Sequence, residues 1–167
     1  MKPSDIQLLR IYTLVQAQFQ GLSSTTVGHL LGEIDIEVSR KTQRIRYIFD
    51  IFGKDKTLLL SLRTNDGRLI PSFEFGERLI KTGYSRNSVV IQNEVRSFIS
   101  EGKSAFCKHV VGVGDNIFPR SEVFVVDENN KLLATGTAIQ PGYAMLELES
   151  GLAVKPGKSR AKSKINS

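Results

Sequence analysis

The first half of the chain changes from a helical to an extended hydrophobic pattern at Ile34. Residues 4–18 carry apolar side chains on one broad helical face, and Ser4 is suited to capping the first turn. A second short helix is expected before Ile34, and a further helix over residues 72–82. Between them, apolar and polar positions alternate with a period of two, which predicts a three-stranded antiparallel sheet. The three predicted strands are residues 34–38, 44–50 and 57–62.

The second half has the pattern of a small β-barrel. An apolar strand at residues 88–91 leads into a predicted helix at 93–101, which ends at Gly102. Several short apolar runs follow, and Asn129-Asn130 is expected to close a hairpin between two of them. Alternation is weak over residues 123–126, which predicts a strand buried on both faces. The remaining predicted elements are strands at 106–113, 122–127, 131–139 and 152–154, and a short helix or strand at 144–148.

These patterns predict an α+β fold in two parts. Residues 1–84 form the first predicted domain, which contains helices and a small antiparallel sheet. Residues 85–158 form the second, which is a β-barrel. Residues 159–167 carry few apolar side chains, so we expect a basic, disordered tail.

The charge of the chain is concentrated near its end. The net charge is +6, and residues 155–167 alone contain five lysines and arginines and no acidic residue. Such a segment can act as a counter-ion for phosphates or can simply keep the protein in solution, and composition leaves both interpretations open. No apolar run approaches the ~18 residues of a membrane helix, and residues 1–9 do not resemble a secretory signal, so we expect a cytoplasmic protein that does not enter membranes.

The sequence contains no recognisable catalytic or metal-binding pattern. His29 and His109 lie in different halves, and Cys107 is the only cysteine, so neither a nucleophile–His–acid order nor a zinc motif is present. Residues 102–104 read Gly-Lys-Ser, as at the end of a nucleotide-binding loop, but that loop requires a glycine where Ser97 stands. We therefore predict no catalytic residue, no metal and no cofactor. Cys107 itself is either a redox thiol or, as we favour, a small buried residue.

The run from Lys103 to His109 combines cations with an aromatic side chain. If residues 105–111 form one strand, Phe106 and Lys108 lie on the same face together with Val110. Single-stranded RNA is bound by cations on its phosphates and by aromatic rings stacked on its bases, which are roles for the lysines and for Phe106. The alternative is that Phe106 belongs to the core and that the lysines are ordinary surface charges.

A second basic cluster lies on the first predicted hairpin. Arg44 and Arg46 point to the same face of their strand, and Arg40 and Lys41 lie in the turn before it. This arrangement suits a track for phosphates. It is equally typical of a solvated strand face.

The order of elements over residues 86–158, with glycines at 102, 114 and 136, resembles the PUA domain, an RNA-binding β-barrel. Residues 97–108, S-x-x-x-E-G-K-S-A-F-C-K, are similar to the form found in archaeal tRNA-guanine transglycosylases that begin archaeosine synthesis. Three segments of the first half are similar to the domain that precedes PUA in the same enzymes; these are residues 8–21, 40–49 and 58–67. The resemblance implies contacts between RNA and the turn and strand from 101 to 109. The residues concerned are Gly102, Lys103, Phe106 and Lys108, and Ser104 in the same turn is included as a candidate.

The resemblance also implies a function. The catalytic barrel of the family, with its aspartates and zinc-binding cysteines, has no counterpart in this sequence. We therefore expect a non-catalytic tRNA-binding subunit that positions the acceptor stem and 3′ CCA end for base exchange by a separate catalytic subunit. The alternatives are a ribosome- or translation-associated PUA adaptor and a protein–protein interaction module.

Overall fold

The computed structural model describes residues 1–52 and 54–165, with side chains through Lys162. The chain divides into two compact units, Met1–Phe75 and Gly76–Ser167. The division falls before the domain boundary that the sequence predicts after residue 84. Among the helices of the described ranges, none is both long and apolar enough to cross a membrane.

The first unit consists of two helices and a four-stranded antiparallel sheet. Its elements are α1 (Asp5–Gln18), α2 (Ser24–Leu31), β1 (Ile34–Val38), β2 (Ile45–Asp50), β3 (Thr57–Leu62) and β4 (Leu69–Pro71), with the strands in the order β1-β2-β3-β4. The predicted start of α1 is confirmed, because the Ser4 hydroxyl accepts the Gln7 N–H and the Gln7 side chain accepts the Ser4 N–H. The prediction of three strands is wrong.

The fourth strand is stabilised from a distance along the chain. The Gln18 side-chain amide donates to the Leu69 carbonyl at 2.7 Å and accepts the Leu69 N–H at 2.9 Å. These bonds satisfy backbone groups on the edge of a strand that pairs only with β3. Phe19 follows α1 and is fully buried against Phe75, with ring centroids 5.5 Å apart. A three-residue strand held in this way has too few positions to show a period.

The elements after β4 form a nearly closed, barrel-like six-stranded sheet with short helices. They are α3 (Phe73–Lys81), β5 (Ser88–Ile91), α4 (Arg96–Ser100), β6 (Ala105–Phe106), β7 (Val110–Val113), β8 (Glu122–Val126), β9 (Leu132–Ala138), α5 (Gly142–Glu147), β10 (Leu152–Ser159) and α6 (Arg160–Ile165). The strand order is β6-β10-β9-β8-β5-β7; within the described residues β5 and β8 pair in parallel, and the other neighbouring strands of this sheet pair antiparallel. Every residue of β8 is buried, as predicted. The predicted α+β class is confirmed.

Two glycines permit close backbone contacts in this barrel. A Cβ atom on Gly114 would lie 2.2 Å from the Arg86 carbonyl oxygen, and one on Gly136 would lie 2.4 Å from that of Lys155. No flexible side chain could move aside to relieve either contact. Both positions therefore require glycine.

The strand predicted over residues 106–113 is interrupted. Cys107–His109 form a single 3-10 turn between β6 and β7, in which the Val110 N–H donates to the Cys107 carbonyl. The Cys107 N–H donates to the Gly151 carbonyl at 2.9 Å, and the Gln92 N–H donates to the His109 carbonyl at 2.9 Å. The helix predicted at 93–101 is likewise a 3-10 turn, Asn93–Val95, followed by the short α4.

The segment for which a disordered tail is predicted contains the end of β10 and the short helix α6 in the structure. Strand β10 continues to the fully buried Ser159, and α6 follows it. The Arg160 guanidinium donates to the Leu132 carbonyl from two nitrogens, at 2.7 and 3.0 Å, and to Glu77 at 2.8 Å. These bonds join the start of α6 to β9 and α3. Residues 166 and 167 lie outside the described part of the chain.

Candidate RNA-binding surfaces

Gly102 ends α4 and turns the chain toward β6. Its φ is +97°, a value that side chains disfavour. The Gly102 N–H donates to the Ile99 carbonyl at 3.0 Å, and the Lys103 N–H donates to the Phe98 carbonyl at 3.1 Å. The last carbonyls of the helix are thereby satisfied, as in glycine-terminated helices generally. We call residues 101–104 the Gly102 turn, which contains the candidates Gly102, Lys103 and Ser104 and leaves the Lys103 side chain exposed.

Phe106 does not belong to the core. Its side chain is 42% exposed, whereas its neighbours Ala105 and Cys107 are each 2% exposed. The ring stands opposite Leu152 of β10, which is 38% exposed. The interpretation of Phe106 as a core residue is therefore wrong, and the ring is accessible for stacking.

The Phe106 ring packs edge-on against the His109 ring. The ring centroids of Phe106 and His109 are 6.3 Å apart, with an interplanar angle of 84°. A 3-10 turn has three residues per turn, so positions three apart lie on the same side. The prediction that Phe106, Lys108 and Val110 share a face depended on an unbroken strand and is wrong, since Val110 is buried. We call Phe106, His109 and Leu152 the Phe106 patch; the sequence places His109 in the same basic-aromatic run as Phe106, whereas no sequence pattern indicated Leu152.

The Gly102 turn and the Phe106 patch together have the chemistry of a single-strand RNA site. An exposed ring offers a face to a base, and Lys103 and Lys108 are exposed cations close to it in sequence. Neither lysine forms an ion pair with a carboxylate in the ranges that the structure describes. Both ammonium groups are thus available to phosphates.

Cys107 lies beneath this surface. Its side chain is 2% exposed, and burial raises the pKa of its thiol. Because the thiolate is the reactive form, we expect iodoacetamide at pH 8 to alkylate Cys107 slowly in the native protein and rapidly in denaturant. Mass spectrometry of timed samples measures both rates. Equal rates in the two states would instead support the redox interpretation of this cysteine.

The second candidate surface is a cavity in the first unit. It has a volume of about 560 Å³ and lies between the β1–β2 turn and the β3–β4 turn. Arg44 and Arg46 both line it, so the structure brings these two candidates together, and Arg10 from α1 and Arg63 after β3 line it as well. We call this the arginine groove. The candidates Arg40 and Lys41 are exposed in the β1–β2 turn but do not line the groove.

One carboxylate partly offsets the positive charge of the arginine groove. Asp66 accepts the Arg68 N–H at 3.0 Å, and its Oδ2 lies 3.5 Å from Arg63 Nη1. The bond from the Arg68 N–H, followed by the nearby guanidinium groups, lowers the pKa of the Asp66 carboxyl, so this group stays charged. The other three arginines make no ion pair within the described ranges. The groove therefore retains excess positive charge of the kind that binds phosphates.

The two halves of the chain match two domain families. Residues 87–159 match the PUA domain, and residues 10–83 match the patch-forming domain C2 of tRNA-guanine transglycosylase. This is a PUA-domain protein. The resemblance inferred from the sequence, to PUA and to the domain that precedes it in transglycosylases, is confirmed.

The PUA-domain protein is similar to archaeal enzymes named tRNA-guanine(15) transglycosylase. The enzyme of Methanocaldococcus jannaschii is 36% identical over 156 residues, which are 92% of this chain and 23% of the enzyme. That of Methanobrevibacter smithii is 39% identical over 132 residues, 78% of this chain and 19% of the enzyme. The similarity lies in the C-terminal region of these relatives. This chain thus spans about a fifth of their length.

Solved structures support the fold. A conserved PUA domain protein from Thermoplasma acidophilum superimposes with a TM-score of 0.68 at 19% identity, covering 98% of this chain and 95% of that one. A hypothetical protein from Pyrococcus horikoshii gives a TM-score of 0.67 at 19% identity with the same coverage. The Gly102 turn and the Phe106 patch lie in the PUA match, and the arginine groove lies in the C2 match. Each candidate surface therefore belongs to a recognised domain.

Proposed function

We propose that this PUA-domain protein binds the acceptor arm of tRNA while a separate transglycosylase-like subunit exchanges a base elsewhere in the same tRNA. Similarity to the C-terminal region of tRNA-guanine(15) transglycosylases supports a role in tRNA modification. The observation that carries the proposal is the Phe106 ring, 42% exposed between two buried neighbours and beside a basic turn. An exposed aromatic ring at this position can stack on an unpaired RNA base.

The proposed mechanism is positioning. Phosphate contacts from Lys103 and Lys108 fix the register of the RNA, and Phe106 stacks on a base of the single-stranded 3′ CCA end. His109 supports the Phe106 ring edge-on, and Leu152 extends the apolar surface next to it. The arginine groove, with Arg40 and Lys41 in the adjacent turn, adds phosphate contacts to the duplex part of the acceptor arm. In this proposal the Phe106 patch provides specificity for the 3′ end, and the arginine groove provides general affinity for phosphates.

The catalytic step belongs to another polypeptide in this proposal. The relatives are named as enzymes, and this chain matches only about a fifth of each. The chemistry of base exchange is accordingly assigned to the part of those enzymes that this chain does not match. On this basis the protein contributes binding and orientation rather than a reacting group.

Binding to one tRNA, prepared with and without its 3′ CCA and measured at two salt concentrations, tests the proposal. We expect tight binding to the complete tRNA and much weaker binding to the shortened one at both salt concentrations, because stacking on terminal bases does not depend on counter-ion release. Weak binding that is equal for the two tRNAs and is lost at the higher salt concentration would mean that the contact is only general electrostatic attraction. The absence of binding at low salt would refute the proposal.

A second candidate function is a protein-interaction module. An exposed apolar depression in the second unit favours it, since Phe118 is 61% exposed and Tyr143 is 71% exposed at its rim. Affinity purification from the native host separates the possibilities. Recovery of a transglycosylase-like chain supports the proposed subunit, and recovery of an unrelated enzyme favours the interaction module. Recovery of small ribosomal subunits favours a translation adaptor.

A further inference from the structure

The C-terminal helix α6 places a lysine directly over the Gly102 turn. A Cβ atom built on Gly102 would lie 3.1 Å from Lys162 Cε and 3.4 Å from Lys162 Nζ. The absence of a side chain at Gly102 leaves the space that the Lys162 side chain occupies. Lys162 is exposed, and no carboxylate within residues 1–52 and 54–165 forms an ion pair with it. Its ammonium group is thus held beside the turn and remains open to solvent.

Arg160 is the residue that fixes α6 in this position. Its side chain is 23% exposed, and its guanidinium donates to the Leu132 carbonyl at the start of β9 and to the Glu77 carboxylate of α3. Ser159, which precedes it, is fully buried, and its hydroxyl accepts the Lys162 N–H at 3.3 Å. The guanidinium of Arg160 is planar and rigid, so these hydrogen bonds restrict the position of α6. Lys162 is therefore positioned by bonds made two and three residues earlier.

We propose that Lys162 is a phosphate-binding residue of the RNA surface and that Arg160 is its positioning residue. The proposal rests on the proposed function, because it requires RNA to lie along the Gly102 turn. It goes further by adding a cation from a helix that lies after the last residue of the PUA match, residue 159. Two ammonium groups then lie at the Gly102 turn. Lys103 belongs to the turn itself, and Lys162 reaches it from α6. Two cations at one point suit the phosphate backbone rather than a base edge.

The salt dependence of tRNA binding tests Lys162 directly. Removing one phosphate contact should lower the slope of log K against log salt by about 0.7 for a single strand and about 0.9 for a duplex. We expect Lys162→Ala to show this decrease, with affinity about four- to sixfold lower at 0.15 M salt. Lys162→Arg should keep the wild-type slope. Lys54→Ala is the matched control, because it removes the same charge from an exposed lysine after β2, in the first unit.

The result that overturns the role of Lys162 is a wild-type slope in Lys162→Ala when the wild-type protein binds tRNA. A wild-type protein that does not bind would instead overturn the proposed function, and this inference with it. Equal decreases of the slope in Lys162→Ala and Lys54→Ala would also contradict a local contact. The three outcomes are distinguished by including the wild-type protein in every titration.

The role of Arg160 is tested by a double-mutant comparison. If Arg160 acts by holding Lys162, Arg160→Ala should lower the slope as Lys162→Ala does, and the double variant should lower it no further. Thermal unfolding of each variant shows whether the fold is retained. Additive decreases in the folded double variant would contradict the positioning role, while a wild-type slope in folded Arg160→Ala would show that Lys162 needs no such support.

Discussion

Replacing Phe106 by alanine is expected to weaken tRNA binding by about 1–3 kcal/mol, the range for loss of one base–aromatic stack. The melting temperature should stay close to that of the wild-type protein, because the ring is 42% exposed and its removal creates no core cavity. Affinity is measured by titration with complete tRNA at fixed salt, and stability by thermal unfolding. Removing CCA from the tRNA should reduce the effect of the substitution to near zero.

Phe118→Ala is the matched control for this prediction. Phe118 is 61% exposed in the same unit and is not part of the Phe106 patch, so the chemical change is the same at a different place. We expect its tRNA affinity to equal that of the wild-type protein. A large loss of stability in Phe106→Ala with unchanged affinity would show that the ring packs rather than binds. Equal losses of affinity in the two variants would indicate a general apolar contribution instead.

The sequence predicts long elements of this fold better than short ones. Helix α1 has fourteen residues and a capping box, and both signals depend on neighbours within four positions. Strand β4 has three residues, and its edge is satisfied by Gln18, which lies 51 positions from Leu69. No local pattern contains that information. The missed strand therefore reflects stabilisation by tertiary hydrogen bonds rather than by propensity.

The same distinction explains the error around Phe106. Residues 106–113 are compatible with one strand by their pattern, but Cys107–His109 form a 3-10 turn in which the Val110 N–H donates to the Cys107 carbonyl. That turn places the His109 ring beside the Phe106 ring. Phe106 could be singled out as a candidate stacking residue from its type and from the family resemblance. His109 and Leu152, the residues that surround Phe106, are brought to it by the fold, and this arrangement could not be predicted from the sequence.

The arginine groove shows what sequence spacing can and cannot supply. Arg44 and Arg46 are two positions apart, so a strand period predicts that they share a face. Arg10 and Arg63 lie far from them along the chain and join the groove only because the fold brings their segments together. The type of a residue indicates that it is a candidate for phosphate binding. Only the structure shows how many such cations line the same groove.

Removing both hairpin arginines tests whether this groove binds RNA. For Arg44→Ala combined with Arg46→Ala, we expect affinity for tRNA to fall roughly 15- to 30-fold at 0.15 M salt, with a slope lower by about 1.4 to 1.8, because the variant cannot make two of the phosphate contacts. The effect should be the same with and without CCA, since the contacts are to phosphates of the duplex. Titrations at several salt concentrations measure the slope.

Lys2→Ala combined with Lys54→Ala removes the same two charges from exposed positions that do not line the groove. If the groove is a local phosphate site, this control should leave the slope much closer to the wild-type value. Replacing both arginines by lysine should keep the slope but lose affinity, because lysine cannot make the bidentate contacts of a guanidinium. An unchanged slope in the double alanine variant would mean that Arg44 and Arg46 form a solvated strand face, and RNA binding would then depend on the PUA domain alone.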